Sequence, residues 1–117
     1  MTPSDFEAWS VSEPNGDVTV FLRGELDLSS AARAKQALLK AISRRGGRLI
    51  VDVSQLTFLD ATGVRSLVTA QLAAEAAGQP MQLTGAQGII ATVLHLLNFL
   101  DQEGSPRPVR QVNPQAG

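Results

Sequence analysis

The chain has no cysteine and no tyrosine. Without thiols there is no disulfide framework, no thiolate zinc site and no cysteine nucleophile. A single histidine, His95, is the only ordinary general base available for a nucleophilic triad, and it sits in the apolar stretch VLHLLNFL. That position suits a partly buried or interfacial histidine better than a catalytic one. Lysine is scarce too: Lys35 and Lys40 are the only two. No charge of one sign dominates, since ten basic and eleven acidic residues leave a net charge of −1. A general basic field for nucleic acid is therefore excluded. No apolar run approaches the roughly 20 residues of a membrane span. The opening MTPSDFEAWS has neither the basic nor the apolar segment of a signal peptide. The expected location is the cytoplasm.

What is present is one domain's worth of alternating elements in 117 residues. FEAWSV over 6–11 alternates apolar and polar residues, and a strong turn signal follows at Glu13-Pro14-Asn15-Gly16-Asp17. DVTVFLR is a second strand, so the chain opens with a hairpin, and Trp9 is expected to pack on its face. GELDL over 24–28 reads as a loop. Ser29 or Ser30 then caps a helix running to about Arg45, with Ala31, Ala34, Leu38, Ala41 and Ile42 at helical spacing and Arg44 and Arg45 at its C-terminal end. RLIVDVS is nearly continuous in apolar residues, as for a strand covered on both faces. A helix over about 63–77 follows, with Val64, Leu67, Val68 and Leu72 as its buried stripe. MQLTG makes a short strand, and a last helix spans about 86–99. Its apolar residues exceed one buried stripe, which implies a weak homodimer or partner surface there. The order β-β-α-β-α-β-α gives an α/β domain with a mixed sheet of four to five strands and about three main helices. The domain is expected over 1–102. Residues 103–117 form a Pro- and Gly-containing tail, in which PVRQV is a candidate edge strand.

Enzymatic chemistry finds little to stand on. Gly85-Ala86-Gln87-Gly88 is neither a G-x-G-x-x-G turn nor a P-loop, and helix breaking and capping account for it. No His and carboxylate spacing suggests a metal site. A phosphorylated receiver domain would read Asp52 as its acceptor. It would also need an acidic pair after the first strand and a late lysine, whereas the only lysines are Lys35 and Lys40 and the chain opens with a hairpin. Asp52 is read instead as the polar end of a buried strand that accepts backbone N–H bonds. No cofactor or metal is expected. A small nucleotide-binding or enzymatic α/β domain is the alternative from another class.

The junction FLDATG, residues 58–63, places an acid and a hydroxyl at the start of a helix. There a side-chain oxygen satisfies unpaired N–H groups. Gly63 is read as leaving the first turn open to an approaching partner or phosphate. Arg65 lies in that turn, where a cation is locally unfavourable, which points to a partner-facing role. Together with GELDLSSA, the run VDVSQLTFLDATGVRSLV resembles a STAS domain of the anti-sigma factor antagonist type. Asp52, Ser54, Leu56, Phe58, Asp60, Thr62, Gly63 and Val64 fall on the pattern D-x-S-x-L-x-F-x-D-[ST]-[ST]-G-[LV], and the resemblance covers about residues 6–101.

The resemblance implies a binding switch. The unphosphorylated antagonist binds an anti-sigma factor that is itself a serine/threonine kinase with a GHKL-type ATP site. Phosphorylation at the start of the helix breaks the complex, and the ATP belongs to the kinase. The implied partner surface is Asp60, Ala61, Thr62, Gly63 and Arg65, with the neighbourhood of Glu25, Asp27 and Ser29. The usual acceptor position is Ala61, which has no hydroxyl, so Thr62 is the remaining candidate phosphoacceptor. The resemblance then implies either a shifted acceptor or a protein not switched by phosphate at this site. The same fold also serves as a subunit of other assemblies, such as a membrane transport or stress complex.

Overall fold

In a computed structural model of the chain, the described residues are 5–42 and 47–96. The elements run β1 (Phe6–Ser12), β2 (Val18–Leu26), α1 (Ala31–Ala41), β3 (Leu49–Leu59), α2 (Ala61–Ala76), β4 (Met81–Thr84) and α3 (Gly88–Leu96). The sheet order is β1-β2-β3-β4. β1 and β2 pair antiparallel as the opening hairpin, while β2–β3 and β3–β4 pair parallel across the helical connections. This is the expected mixed α/β sheet, with four strands among the described residues. Residues 108–112, the candidate edge strand, lie outside the described residues, as do Arg44, Arg45 and the end of the last helix at 97–99.

The core lies on one face of the sheet. Val20, Leu22, Leu49, Val51 and Val53 are buried there with Ala34 and Leu38 of α1, Val64, Leu67, Ala70 and Ala74 of α2, and Ile90 and Leu94 of α3. The opposite face carries Trp9, whose ring stacks on Phe21 with centroids 5.5 Å apart. Trp9 therefore packs on the hairpin face as expected. β3 is not covered on both faces. Ile50 and Asp52 are only half-buried, and burial alternates over residues 49–53 as one covered face requires. Ile50 made the run look continuous, but its side chain belongs to the less covered face.

The hairpin turn is pinned by Asp17. Its carboxylate accepts the Arg48 backbone N–H at 2.8 Å and pairs with the Arg48 guanidinium at 2.7 Å. The Asn15 side chain in turn accepts the Asp17 N–H at 2.9 Å. The turn is thereby tied to the start of β3, a role that the turn signal alone did not reveal. The Arg48 guanidinium holds the Asp17 carboxyl below its ordinary value of 3.8.

Both central strands run further than the sequence suggests. β2 continues through Gly24-Glu25-Leu26, a stretch whose sequence reads as loop. Gly24 has φ +102°, and a Cβ there would strike the Asp5 carbonyl oxygen, so the strand passes this point only as glycine. β3 continues to Leu59 by way of two register shifts against β2. At the first, the Asp52 carboxylate accepts the Ser54 N–H at 2.9 Å and the Ser54 hydroxyl at 2.6 Å. Asp52 thus accepts a backbone N–H as expected, but it holds a bulge and does not end the strand.

The helices also differ at their ends. α1 stops at Ala41, because Ile42 turns to extended backbone (ψ 129°) and packs against the core. α2 begins at Ala61 and ends in a Schellman turn. Gly78 N–H bonds the Glu75 carbonyl, and Gln79 N–H the Ala74 carbonyl, at the expected stop. Within α2, Leu72 is 43% exposed, and Ala70 and Ala74 complete the buried stripe. α3 begins at Gly88, whose φ of +59° separates it from the preceding loop.

Candidate functional site

The parallel register of β2 and β3 builds the site. Glu25 lies opposite Phe58 and Leu26 opposite Leu59, so both strands end side by side. The chain leaves β2 into the Asp27–Ser30 turn and leaves β3 directly into α2. The Asp60 N–H approaches the Leu26 carbonyl at 3.4 Å. Residues 25–29 and 60–65, which the sequence separates by a helix and a strand, therefore occupy one end of the domain.

At the start of α2 the cap is Asp60. Its backbone is extended, and its Oδ1 accepts the Gly63 N–H at 2.9 Å. One orphan donor of the first turn is thereby satisfied. Ala61 is exposed, and Thr62 is half-buried. The Thr62 hydroxyl makes no hydrogen bond among the described residues, so the capping role open to Thr62 falls to Asp60.

Gly63 does not leave the turn open. It is buried, and a Cβ there would lie 2.5 Å from the Leu26 carbonyl oxygen and 2.9 Å from Leu59 Cδ1. Its missing side chain lets the helix start close on the strand ends. It faces inward and does not present itself to a partner. Arg65 is exposed, one turn along.

The turn after β2 is more tightly bonded. The Asp27 carboxylate accepts the Ser29 N–H at 3.0 Å and the Ser29 hydroxyl at 2.7 Å. These bonds, the Ser29 hydroxyl first, hold the Asp27 carboxyl below its ordinary value of 3.8. Ser30, the residue before α1, is fully buried and does not cap the helix with its side chain. Its hydroxyl instead donates to the Glu25 carbonyl at 2.6 Å and accepts the Asp27 N–H at 3.0 Å. Glu25 and Ser29 are exposed beside this fixed turn.

Two apolar residues complete the surface. Leu28 is 79% exposed and Phe58 47%. Sequence reading treated Phe58 as a motif position and Leu28 as loop. The signal for Phe58 was available in the length of β3, since a strand continued to Leu59 turns position 58 away from the core.

The surface offers apolar contacts, carboxylates and one arginine, and the Ser29 hydroxyl on the Asp27 carboxylate serves to hold the turn. Among the described residues no group of His, Cys, Asp and Glu could hold a metal ion. His95 is exposed on α3, not buried. No helix among the described residues is long and apolar enough to cross a membrane.

A family model described as "Mlab, STAS domain" matches residues 9–102. The chain belongs to the STAS domain family. Solved STAS-like structures share the fold. RsbS of Moorella thermoacetica, solved as a variant, is 26% identical with a TM-score of 0.66, covering 93% of this chain and 89% of that one. The anti-sigma factor antagonist SpoIIAA in its unphosphorylated form is 20% identical with a TM-score of 0.66, covering 78% and 80%. The phosphorylated form of the Bacillus cell fate determinant SpoIIAA is 19% identical with a TM-score of 0.60, covering 79% and 84%. Comparison with curated proteins found no match. The four-stranded mixed sheet with three helices is that of this STAS domain family.

Proposed function

We propose that this STAS domain is an anti-sigma factor antagonist. It binds an anti-sigma factor of the GHKL serine/threonine kinase type and so regulates sigma-dependent transcription. It acts as a binding module in the cytoplasm and not as an enzyme. The observation that carries this reading is the β2–β3 register, which brings Glu25, Asp27 and Ser29 beside Asp60, Ala61, Thr62 and Arg65. Leu28 and Phe58, both exposed at the same strand ends, supply apolar contact area. Gly63 contributes by letting α2 start close to the sheet.

In this reading the domain is not switched by phosphate at the usual position, because Ala61 offers no hydroxyl. A phosphate on Thr62 would add about −1.5 to −2 charge beside the Asp60 carboxylate, which already fills the capping position. The wild-type surface is then a permanently unphosphorylated one.

A second reading is favoured by the Mlab description of the matching family model and by Ala61 itself. In it, the same surface binds a component of a membrane transport or stress assembly. Affinity capture from the source cells separates the two readings, with wild type beside Asp60→Arg and Asp60→Asn. Capture of a GHKL-type kinase, lost with the arginine and kept with the asparagine, is expected. Capture of a transport ATPase or permease in the same pattern moves the protein to the second reading. Incubation of the captured kinase with ATP should leave wild type unmodified and should phosphorylate Ala61→Ser. Phosphate on wild-type Thr62 would sink the claim of a fixed state.

A weak homodimer through α3 belongs to the same proposal. Ile89 and Leu96 are 64% and 78% exposed on that helix. Light scattering at high concentration tests it, and a monomer throughout would remove it.

A further inference from the structure

The two edges of the sheet are unlike. β4 has four residues and β1 has seven. Natural sheets blunt long edges with lysine, proline or a covering segment. The β1 sequence FEAWSVS contains neither lysine nor proline. Its outward groups follow from the register. Glu25 N–H bonds the Asp5 carbonyl at 3.0 Å, so Asp5, Glu7, Trp9 and Val11 turn their backbone groups to β2. Phe6, Ala8, Ser10 and Ser12 turn theirs outward. The Phe6 carbonyl agrees with this, since it faces the Arg33 guanidinium of α1 at 3.5 Å.

Beside this edge runs a groove against α1. One hollow of about 370 Å³ lies by Phe6, Ala8 and Arg33, and an adjoining one of about 290 Å³ lies by Trp9 and Ser10. Ala8, Ala37 and Lys40 line both. Residues 33, 36, 37 and 40 form one stripe of the helix at i, i+3, i+4 and i+7 spacing. Gln36 and Ala37 make the middle of its wall, and a cation stands at each end. α1 carries three cations and no acid. Glu7 pairs with Arg23 of the neighbouring strand, at 3.5 Å.

We propose that the β1 edge and α1 form a docking groove for an extended acidic peptide segment of a partner protein, which adds to the sheet as a further strand. Its backbone pairs with Ala8 and Ser10, and carboxylates on its helix-facing side meet Lys40 and Arg33. The two cations are seven residues apart, about 10 Å along the helix axis. That distance falls between the roughly 7 Å and 14 Å that separate acids two and four residues apart on one face of a strand, so the long side chains of Lys40 and Arg33 must lean along the groove to meet either spacing. Strand addition takes its affinity from the main chain and its selectivity from alternate side chains, and here charge supplies the selectivity. The groove lies along the β1 edge, apart from the strand ends that carry the proposed anti-sigma surface.

Trp9 is the single tryptophan and lies in β1 itself, its ring on the other face of the sheet against Phe21, so its fluorescence reports a strand added at this edge. The full chain is titrated with a short synthetic peptide of alternating valine and glutamate. Two control peptides carry lysine in place of glutamate, or N-methyl groups on alternate amides. Saturable binding of the glutamate peptide is expected, weaker by about tenfold or more with either control, with Lys40→Glu and with Ser10→Pro. Lys40→Glu changes an exposed side chain and leaves the fold intact, so the test stands even if the proline variant unfolds. Equal binding of the lysine peptide, indifference to Lys40→Glu, or no saturable binding overturns the proposal. So does self-association of the free chain that Ser10→Pro abolishes, which would assign the edge to a second copy.

Discussion

Two helices of this domain start beside each other with similar residues, and the structure uses them differently. Before α1 the chain reads Asp27-Leu28-Ser29-Ser30, and across the start of α2 it reads Asp60-Ala61-Thr62-Gly63. At α2 the acid caps the helix directly, through one oxygen on the Gly63 N–H. At α1 the acid is spent on its own turn, where Asp27 holds Ser29, and the serine next to the helix is buried. That Ser30 hydroxyl ties the turn to β2 through Glu25. One start is fixed by its own cap and by a missing side chain, the other by a buried hydroxyl. The lesson is that a capping signature gives the place of a helix start. It does not reveal which side chain remains available to a partner.

The strongest way to break this pairing is at Gly63. Gly63→Val places two further methyl groups beyond a Cβ that already lies 2.5 Å from the Leu26 carbonyl oxygen. Overpacking of this kind costs about 1–3 kcal/mol, and the backbone contact places this case near 3. Urea unfolding should show the loss, and partner capture should fall with it. An unchanged midpoint would mean that the helix start is loosely seated. Ser30→Ala comes next. It leaves the Glu25 carbonyl and the Asp27 N–H without their partner in a part-buried turn, at a cost of about 2 kcal/mol. A loss under about 0.5 kcal/mol, the range of an ordinary surface change, would show that the turn holds without its hydroxyl.

Most of the fold was legible, because strand alternation and helical spacing act locally. The hairpin, the helix stop at Gly78 and the core positions Val64 and Leu67 needed no tertiary information. The missed features depend on neighbours in space. Gly24 reads as loop until Asp5 is seen across from it, where only a glycine passes. Phe58 reads only as a motif position until β3 is seen to run on to Leu59 beside β2, which leaves it exposed. Gly63 reads as an open first turn until the ends of β2 and β3 close on it. The buried role of Ser30 has no local sign at all, since a helix-capping serine and a turn-anchoring serine look the same in sequence. The site was legible as residue identities and opaque as a surface. Exposure at its apolar positions is set by strand length, and strand length here is set by pairing.

A milder change sharpens the contrast between the two acids. Asp60→Ala removes the cap and should cost about 1 kcal/mol, whereas Asp60→Asn keeps an acceptor and should stay within a few tenths. The comparison also separates capping from binding. If Asp60→Asn keeps stability but loses the partner, the carboxylate charge itself is read at the surface. If both are kept, the arginine variant acts by bulk and sign.

The smallest effect expected is the acid dependence of the α1 turn. Asp27 has its carboxyl held below 3.8 in the folded chain by bonds that the ionised form accepts more strongly than the neutral acid, the Ser29 hydroxyl first. A depressed folded value means that the contribution is complete above the ordinary value. It is lost as the pH falls through the folded value, because the unfolded chain takes up its proton first. Asp17 changes in the same direction through Arg48, so acid unfolding of the wild type alone does not isolate the turn. The difference in Tm between wild type and Asp27→Asn does isolate it. That difference should be constant at neutral pH and shrink below about pH 4, where the carboxyl becomes a neutral acid like the amide beside it. A difference that persists unchanged to about pH 2 would mean that asparagine fails for its shape and not for its charge. The Asp27–Ser29 bonds would then be a geometric fit, and the turn beside the proposed partner surface would owe its fixed form to that fit together with Ser30 and not to charge.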